Sequence, residues 1–578
     1  MERLESEIRR FVLENAVKYD GKPNANSVMS ALMSARADLR PMAREVRALV
    51  ERLVAEISGL GLSAQKSELA RLTPSTAPTL TSVVKEGDTG LPDLPNVDKW
   101  PKVVMRLAPF PSGPLHIGNA RMVILNDYYV KRYDGKLILV FDDTIGSEEK
   151  QVEPTAYDLI PEGLEYLGVK YHQTVYKSDR LDLFYDYSVD LIKKEHAYVC
   201  TCDPQKWRTE HKAKKKPCPC RTLRVEENLS RWEKMLDGTY APGEAALRMK
   251  TGMDDPDPAM RDHVIMRISE TVHPRVGTRY RVWPLLEFSW GIDDHELGIS
   301  HIIRGKDLVK EGKIEQHVWA FYGWQFPELL YYGRLKIEGV KLSKSKSRRE
   351  VMEGAYRGWD DPRTWSIQSL QKRGIHPDAL RKAILDLGMS LSDASLSVKS
   401  IYSENRRLRD ADAPRFFFVH EPVWLQIENF PESIRTAEPP LHPDFPERGR
   451  RRIDLHRSEG RLVVGVQRTD FERIREGELF RLKDLANIVM RKSAGAFPQF
   501  HSTDVDEVLK LRSPIIQWVP GEGVVKVRMT MEDGLDIEGI AEPGLAGVEP
   551  GTFVQFERYG FARIYDVSGP VMAAFAHK

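Results

Sequence analysis

No stretch of this chain approaches the length of apolar run that spans a bilayer. Residues 1–20 are charged throughout, with no apolar segment of the kind that opens a secretory leader. A soluble, cytoplasmic protein is expected. An excess of one sign of charge is also missing: 86 Lys and Arg stand against 85 Asp and Glu, a formal net charge of +1. No global basic field announces a nucleic acid, although local patches could still hold one. Cysteine is scarce, with four in 578 residues.

Those four cysteines are concentrated in one short segment, as Cys200-Thr-Cys202 and Cys218-Pro-Cys220. Two Cys-x-Cys pairs around one loop suggest tetrahedral thiolate ligation of zinc by Cys200, Cys202, Cys218 and Cys220. The single-residue gaps are tighter than the commoner spacing. A disulfide reading fits a reduced compartment poorly. Lys212, Lys214, Lys215 and Lys216 lie in the same loop. They read either as a solvated charge run or as contacts to nucleic-acid phosphates.

A chain of this length holds several domains. Residues 1 to about 90 carry amphipathic helical patterns, such as Met42 to Val54, and Gly87 to Asp98 reads as a linker. From Lys102 the pattern is strand (Val103–Ala108), helix (Ile117–Tyr133), strand (Leu137–Phe141). Such a βαβ unit implies a parallel sheet. Arg106 falls near the end of the first strand, and Asp142 and Asp143 follow the second, so all three can converge on the crevice beyond the strand ends. The sheet pattern resumes at Leu297–Arg304, with a helix through Val318, Trp319 and Tyr322. After Ser347 the chain reads as helical. From about Phe416 it changes to short strands such as Gly460–Gly465, Gly523–Arg528 and Phe553–Arg558, which argues β-barrels.

The loop after the first strand is the most informative stretch: Leu107-Ala-Pro-Phe-Pro-Ser-Gly-Pro-Leu-His-Ile-Gly118. It places His116 and Gly118 at a helix N-terminus, where backbone N–H groups and the helix dipole favour phosphate. Far downstream stands Lys341-Leu-Ser-Lys-Ser345, two lysines in a Ser-rich loop able to follow charge developing on phosphate. Read alone, His116 is a capping histidine and the lysine loop a solvated turn. In this order they resemble the two ATP motifs of class I aminoacyl-tRNA synthetases.

Further residues narrow the resemblance. Phe141-Asp-Asp-Thr144, Ile292-Asp-Asp-His295 with Arg304-Gly, and Gly358-Trp-Asp-Asp-Pro-Arg363 are similar to the archaeal branch of the glutamyl-tRNA synthetases. The resemblance runs from about Lys102 to the C-terminus. Two departures stand out. Asn119 takes the place of a second histidine, and Leu286 lies where relatives commonly carry a tyrosine near the amino acid.

The resemblance implies a Rossmann-type α/β catalytic domain interrupted by an insertion and followed by β-barrels. The segments are an N-terminal helical extension (1–95), a first catalytic half (100–198) and an inserted acceptor-end-binding segment (199–282). A second catalytic half (283–345), a helical connection (346–415) and an anticodon-binding β-barrel region (416–578) follow. The implied reaction joins glutamate to ATP, carried with Mg, and then to the 3′ end of tRNA. His116, Asn119, Gly118 and Pro109 go to ATP, and Lys341 and Lys344 to the departing pyrophosphate. Arg106 and Arg304 go to substrate carboxylates, Asp142 to the substrate ammonium, and Ala108 to the amino acid. Arg106 could instead form a buried ion pair with Asp142 or Asp143.

The run Ala108 to Gly113 has the glutamyl rather than the glutaminyl form. Glutamine remains the near alternative for the amino acid, and glutamine tRNA a second substrate left open. Outside this class stand a nucleotidyltransferase, or a synthetase-derived protein that binds or modifies tRNA. For the barrels, Arg451, Arg452, Trp518 and Phe556 exemplify side chains suited to reading unpaired bases. A monomer is expected. The N-terminal extension is open to a protein partner, to tRNA or to a plain stabilising role.

Overall fold

The computed structural model describes residues 2–18, 22–35, 42–61, 64–65, 68, 90–146, 151–340 and 344–578. Two compact units divide the chain, Met1–Asp88 and Thr89–Lys578. In the first, helices α1 (Glu2–Lys18), α2 (Ala25–Ala35) and α3 (Ala43–Ser58) pack on one another. Val46, Val50, Leu53 and Ile57 recur at helical spacing on α3 and are buried with Ile8, Val12, Val28 and Leu32. Each such side chain contributes roughly 1.5–3 kcal/mol when fully buried.

In the second unit, β1 (Val104–Leu107), α4 (Ile117–Arg132), β2 (Lys136–Phe141), α5 (Ala156–Tyr166) and β3 (Gln173–Tyr176) build the parallel sheet expected from the sequence. Arg106 lies opposite Ile138, and Ile138 opposite Gln173. Ile117, Ala120, Val123 and Ile124 of α4 join Met105, Leu137 and Leu139 of the strands in one apolar core. Helix α6 (Leu181–Lys193) leads to an antiparallel sheet of β4 (Ala197–Cys200), β5 (Ala246–Met249), β6 (Val264–Ile268) and β7 (Val282–Pro284), with α7 (Val225–Leu236) before β5. Trp232, Met235 and Trp283 fill its interior.

Helix α8 (Leu286–Glu296) then returns the chain to the parallel layer. There β8 (His301–Gly305) pairs in parallel with β9 (Glu328–Tyr332), and α9 (Val309–Tyr322) lies between them in sequence. The Ser300 N–H donates to the Val104 carbonyl at 2.9 Å, and the Val104 N–H donates to Ser300 Oγ at 2.8 Å, which sets β8 beside β1.

The stretch after Ser347 is less purely helical than expected. Helices α10 (Lys344–Met352), α11 (Ile367–Arg373), α12 (Pro377–Leu385) and α13 (Val398–Arg409) are present. Between the last two, however, Ala394–Ser397 forms a strand parallel to Leu335–Glu338. Only Leu396 of that strand is buried, so it carries no apolar alternation to announce it.

Beyond Arg415 the chain is β-rich. A seven-stranded sheet has as its edges Arg415–Phe416 and Phe418–His420. Only Phe417 separates those edges in sequence, so the sheet curls back on itself as a nearly closed barrel. Two four-stranded sheets and a two-stranded one, Thr436–Ala437 with Ile453–Asp454, complete the region.

Candidate active site

The phosphate-type loop runs from Ala108 at the end of β1 to His116, the N-cap of α4, whose backbone is extended (φ −121°, ψ 170°). Asn119 Oδ1 accepts the His116 N–H at 3.2 Å. This commits the amide oxygen of Asn119, so only its NH2 end can serve a phosphate. Main-chain bonds hold the loop on both sides. Pro109 and Pro111 carbonyls accept the N–H groups of Asp142 and Glu153. Ile117 N–H donates to the Trp365 carbonyl at 3.0 Å, and Ile367 N–H to the Leu115 carbonyl at 2.8 Å.

Gly113 has φ +144°, and a Cβ there would meet the Trp359 ring at 2.9 Å. The glycine is therefore required twice, by backbone conformation and by the indole laid against it. The loop and the Gly358–Arg363 stretch, about 240 residues further along the sequence, form one seam. Within it Asp361 accepts the Arg363 and Arg357 backbone N–H groups and the Arg363 guanidinium. Burial pushes the Asp361 carboxyl up, but these donors outweigh it and hold it below its ordinary value. Of the second motif, Lys341 lies outside the described residues, and Lys344 opens α10.

The amino acid candidates lie at the carboxyl ends of β1, β2 and β8. Arg106 grips Asp294 through Nε and Nη2. Its carboxylate partner is thus Asp294 of α8, in place of Asp142 or Asp143. Arg304 grips Glu315 of α9 through two bonds of 2.8 Å. Asp142 pairs with Lys177 at 3.0 Å, and Lys177 also donates to Ser289 at 2.8 Å. Arg180 donates to Asp293 at 2.7 Å. Asp143 accepts from Ser178 and Tyr157 and faces His273, so it braces the loop after β2. Burial pushes the carboxyls of Asp143, Asp293 and Glu315 up, against the pull of these partners. Leu286 stands half-buried at the start of α8.

The sequence reading missed Lys177, Arg180, Trp290 and Glu315. The spacing of Trp290, Asp293 and Asp294 on one helix was the available signal, since residues three and four apart share a face.

The four cysteines are brought together. Their Sγ atoms lie within 4.8 Å of one another, with Cys200–Cys218 at 3.9 Å and Cys202–Cys220 at 3.8 Å, and all four are free thiols. Four sulfurs about 2.3 Å from one zinc in tetrahedral array stand about 3.8 Å apart, so the set fits that ion. Arg231 donates to Cys220 Sγ at 3.3 Å, a cation placed to offset thiolate charge.

Nearby, a cavity of about 500 Å³ is lined by Arg208, Lys212, Arg248, Arg261 and Arg267 around Trp207. In the barrels, Arg451, Trp518 and Phe556 prove to be core: Arg451 is bound to Glu542 and the Arg415 carbonyl, and both aromatics are fully buried. Alternation along a strand does not say which face is outward. Arg452 and Trp424 are exposed there.

Residues 102–408 match the family described as tRNA synthetases class I (E and Q), catalytic domain. Residues 413–503 and 515–565 match its two anti-codon binding domains. Relatives named glutamate–tRNA ligase align along the chain. The one from Methanothermobacter marburgensis is 42% identical over 575 residues, covering 100% of both chains. That from Pyrococcus abyssi is 42% identical over 573 residues, 98% of this chain and 99% of its own. That from Thermococcus kodakarensis is 42% identical over 583 residues, 100% of both. The chain belongs to the class I tRNA synthetases of the E and Q type.

Proposed function

We propose that this protein is a glutamate–tRNA ligase: it joins glutamate to the α-phosphate of ATP, releases pyrophosphate, and passes the glutamyl group to the 3′ end of its tRNA. The observation that carries the reading is the convergence of the phosphate loop with a cluster of carboxylate-binding cations at the ends of β1, β2 and β8. Positioning and charge stabilisation are the protein's share of such chemistry. His116, Gly118, Asn119 and Pro109 hold ATP, with its Mg. Lys341 and Lys344 meet the charge that develops on pyrophosphate. Arg106 and Arg304 take carboxylates, and Ala108 lines the amino acid site.

Asp142 receives the substrate ammonium, which must share that carboxylate with Lys177. Cations favour a glutamate side chain over glutamine by more than shape could. Cys200, Cys202, Cys218 and Cys220 hold one structural zinc, which leaves no open position for a catalytic water.

The segment 199–282 approaches the acceptor end, and its basic cavity suits phosphates. The barrels from about Phe416 take the anticodon, with Trp424 and Arg452 as exposed side chains for an unstacked base. Among the described residues no helix is long and apolar enough to cross a membrane; the proposed state is a cytoplasmic monomer. Exchange of pyrophosphate into ATP tests the reading, run with glutamate or glutamine and with or without tRNA. Glutamate-dependent exchange is expected to exceed exchange with glutamine. Equal or greater exchange with glutamine, or none with either, overturns it.

A further inference from the structure

The turn that supports the phosphate loop contains a strained residue. Among the described residues, every non-glycine position with left-handed backbone holds Asn, Asp, Glu, Lys or Arg, except Trp365, at φ 52° and ψ 26°. A bulky L-residue is strained there, and such a conformation persists only where its surroundings over-determine it. The indole of Trp365 is half-buried against the catalytic core, and the Arg373 guanidinium lies 5.2 Å from its ring centroid. Arg373 is 2% exposed and is itself fixed. It donates to the Phe575 carbonyl at 3.0 Å, to the Ala576 carbonyl, and to Tyr402 Oη at 2.8 Å. Phe575 and Ala576 belong to Val571–His577, the last strand of the seven-stranded barrel sheet.

The turn acts on the phosphate loop through its main chain. The Trp365 carbonyl accepts the Ile117 N–H at 3.0 Å, and the Leu115 carbonyl accepts the Ile367 N–H at 2.8 Å. His116 thus lies opposite Ser366 in a short antiparallel bridge, bracketed on both sides. Ser366 is held in turn, because its Oγ accepts the Ser369 N–H at 2.9 Å and caps α11. A right-handed residue at 365 would swing the carbonyl away from α4 and release the first turn of that helix. We propose that Trp365 is a positioning residue for adenylate formation: its indole, wedged between Arg373 and the core, locks the left-handed turn that sets His116 on ATP. The inference rests on the assignment of His116 to ATP given above. Glycine would take this backbone without strain. It would permit the turn, whereas the wedged ring enforces it. Enforcement matters here because a misplacement of about 1 Å, even one caused far from the chemistry, can cost about 10²-fold in rate.

Single-turnover adenylate formation by the full-length protein, with glutamate, ATP and tRNA, tests this. Trp365→Phe, which keeps a ring for Arg373, is expected to stay within about threefold of wild type. Trp365→Ala and Trp365→Gly are expected to slow by about tenfold or more, and by similar factors. Their melting temperatures should differ all the same, the glycine variant being the more stable because it takes the left-handed turn without strain. A rate that follows stability instead, with Trp365→Gly close to wild type, overturns the proposal. A double-mutant cycle with His116 decides whether the effect runs through that imidazole. On a His116→Ala background, Trp365→Ala is expected to cost less than about twofold. The same cost in both backgrounds overturns the proposal and leaves the functional reading standing. No adenylate from the wild type, or an unchanged rate in His116→Ala, overturns the reading of the ATP site and the proposal with it. Should Trp365→Ala fail to fold, Trp365→Leu, which fills the space without a ring face, takes its place in the same cycle with the same outcomes.

Discussion

Two clusters of arginine and carboxylate lie within the catalytic layer, and they are built to opposite rules. In the seam around Asp361, every carboxylate oxygen has donors: both oxygens take the Arg363 guanidinium, one takes the Arg363 N–H and the other the Arg357 N–H. Arg357 continues the seam to Asp536 of the barrel at 2.9 Å. The cluster around Trp290 holds more charge in a drier place. It leaves the Trp290 Nε1, Arg304 Nε and Asp293 Oδ2 atoms without protein partners among the described residues. A polar cluster that satisfies itself fixes geometry. One that leaves donors and an acceptor over is shaped for something else. Titration separates them too. Asp361 is held below its ordinary value by its donors, whereas burial pushes Asp293 and Glu315 above theirs.

The comparison breaks most sharply at Arg304. Arg304→Met leaves Glu315 buried without its bidentate partner, and about 3–5 kcal/mol of stability should be lost. Arg304→Met combined with Glu315→Leu should recover most of that stability while glutamate-dependent exchange stays abolished. Denaturant unfolding of the two variants checks this. A single variant as stable as wild type would mean that the pair is not buried as described. A double variant that exchanges normally would remove Arg304 from the substrate.

Lys344 gives the next largest effect, and it falls on rate alone. Lys344→Ala should lower the rate of adenylate formation about 10²–10³-fold, with ATP binding and melting temperature little changed. Single-turnover adenylate formation beside equilibrium ATP binding measures the split. An unchanged rate would return Lys341-Leu-Ser-Lys-Ser345 to an ordinary solvated loop.

How far the two clusters could be read in the sequence differs for physical reasons. The two runs of the seam, Pro109 to Gly118 and Gly358 to Arg363, were legible as motifs because each is short and contiguous. That they pack on each other, with Trp359 seated on Gly113, and that Arg357 and Arg363 satisfy Asp361 needed coordinates. The gathering of the four cysteines was legible for the same reason, from two close Cys-x-Cys pairs around one loop. The Trp290 cluster is assembled from β1, β2, β8, α8, α9 and the turn after β3, so each charge sits alone in its own stretch of sequence. Arg106, Arg304 and Asp142 were found through their motifs, but their partners Asp294, Glu315 and Lys177 follow only from how the crossovers stack. The β-rich region was legible as such, and one of its sheets is a nearly closed barrel. The outward faces of its strands were not legible, as the burial of Arg451, Trp518 and Phe556 shows.

The smallest effect sharpens the contrast through pH. The folded Asp361 carboxyl titrates below its ordinary value of 3.8. Its contribution is therefore present above that value and is lost as pH falls through the depressed folded one. Asp293 and Glu315 are raised, so their contribution has the other sign: it is present below about 3.8 and 4.5 and fades as pH rises through the raised values. Acid should therefore loosen the seam while it relaxes the Trp290 cluster. Asp361→Asn removes the charge and keeps the shape. It should cost about 1.5–3 kcal/mol at pH 7, the range for hydrogen bonds to an ionised group, and less at pH 3, below the ordinary value of 3.8, where the unfolded chain already holds that proton. Chemical unfolding of both proteins at the two pH values gives the difference. A gap that stays constant between pH 7 and pH 3 would show that Asp361 acts through shape alone, and the distinction between a self-satisfied seam and a ligand-seeking cluster would then rest on the orphaned donors around Trp290.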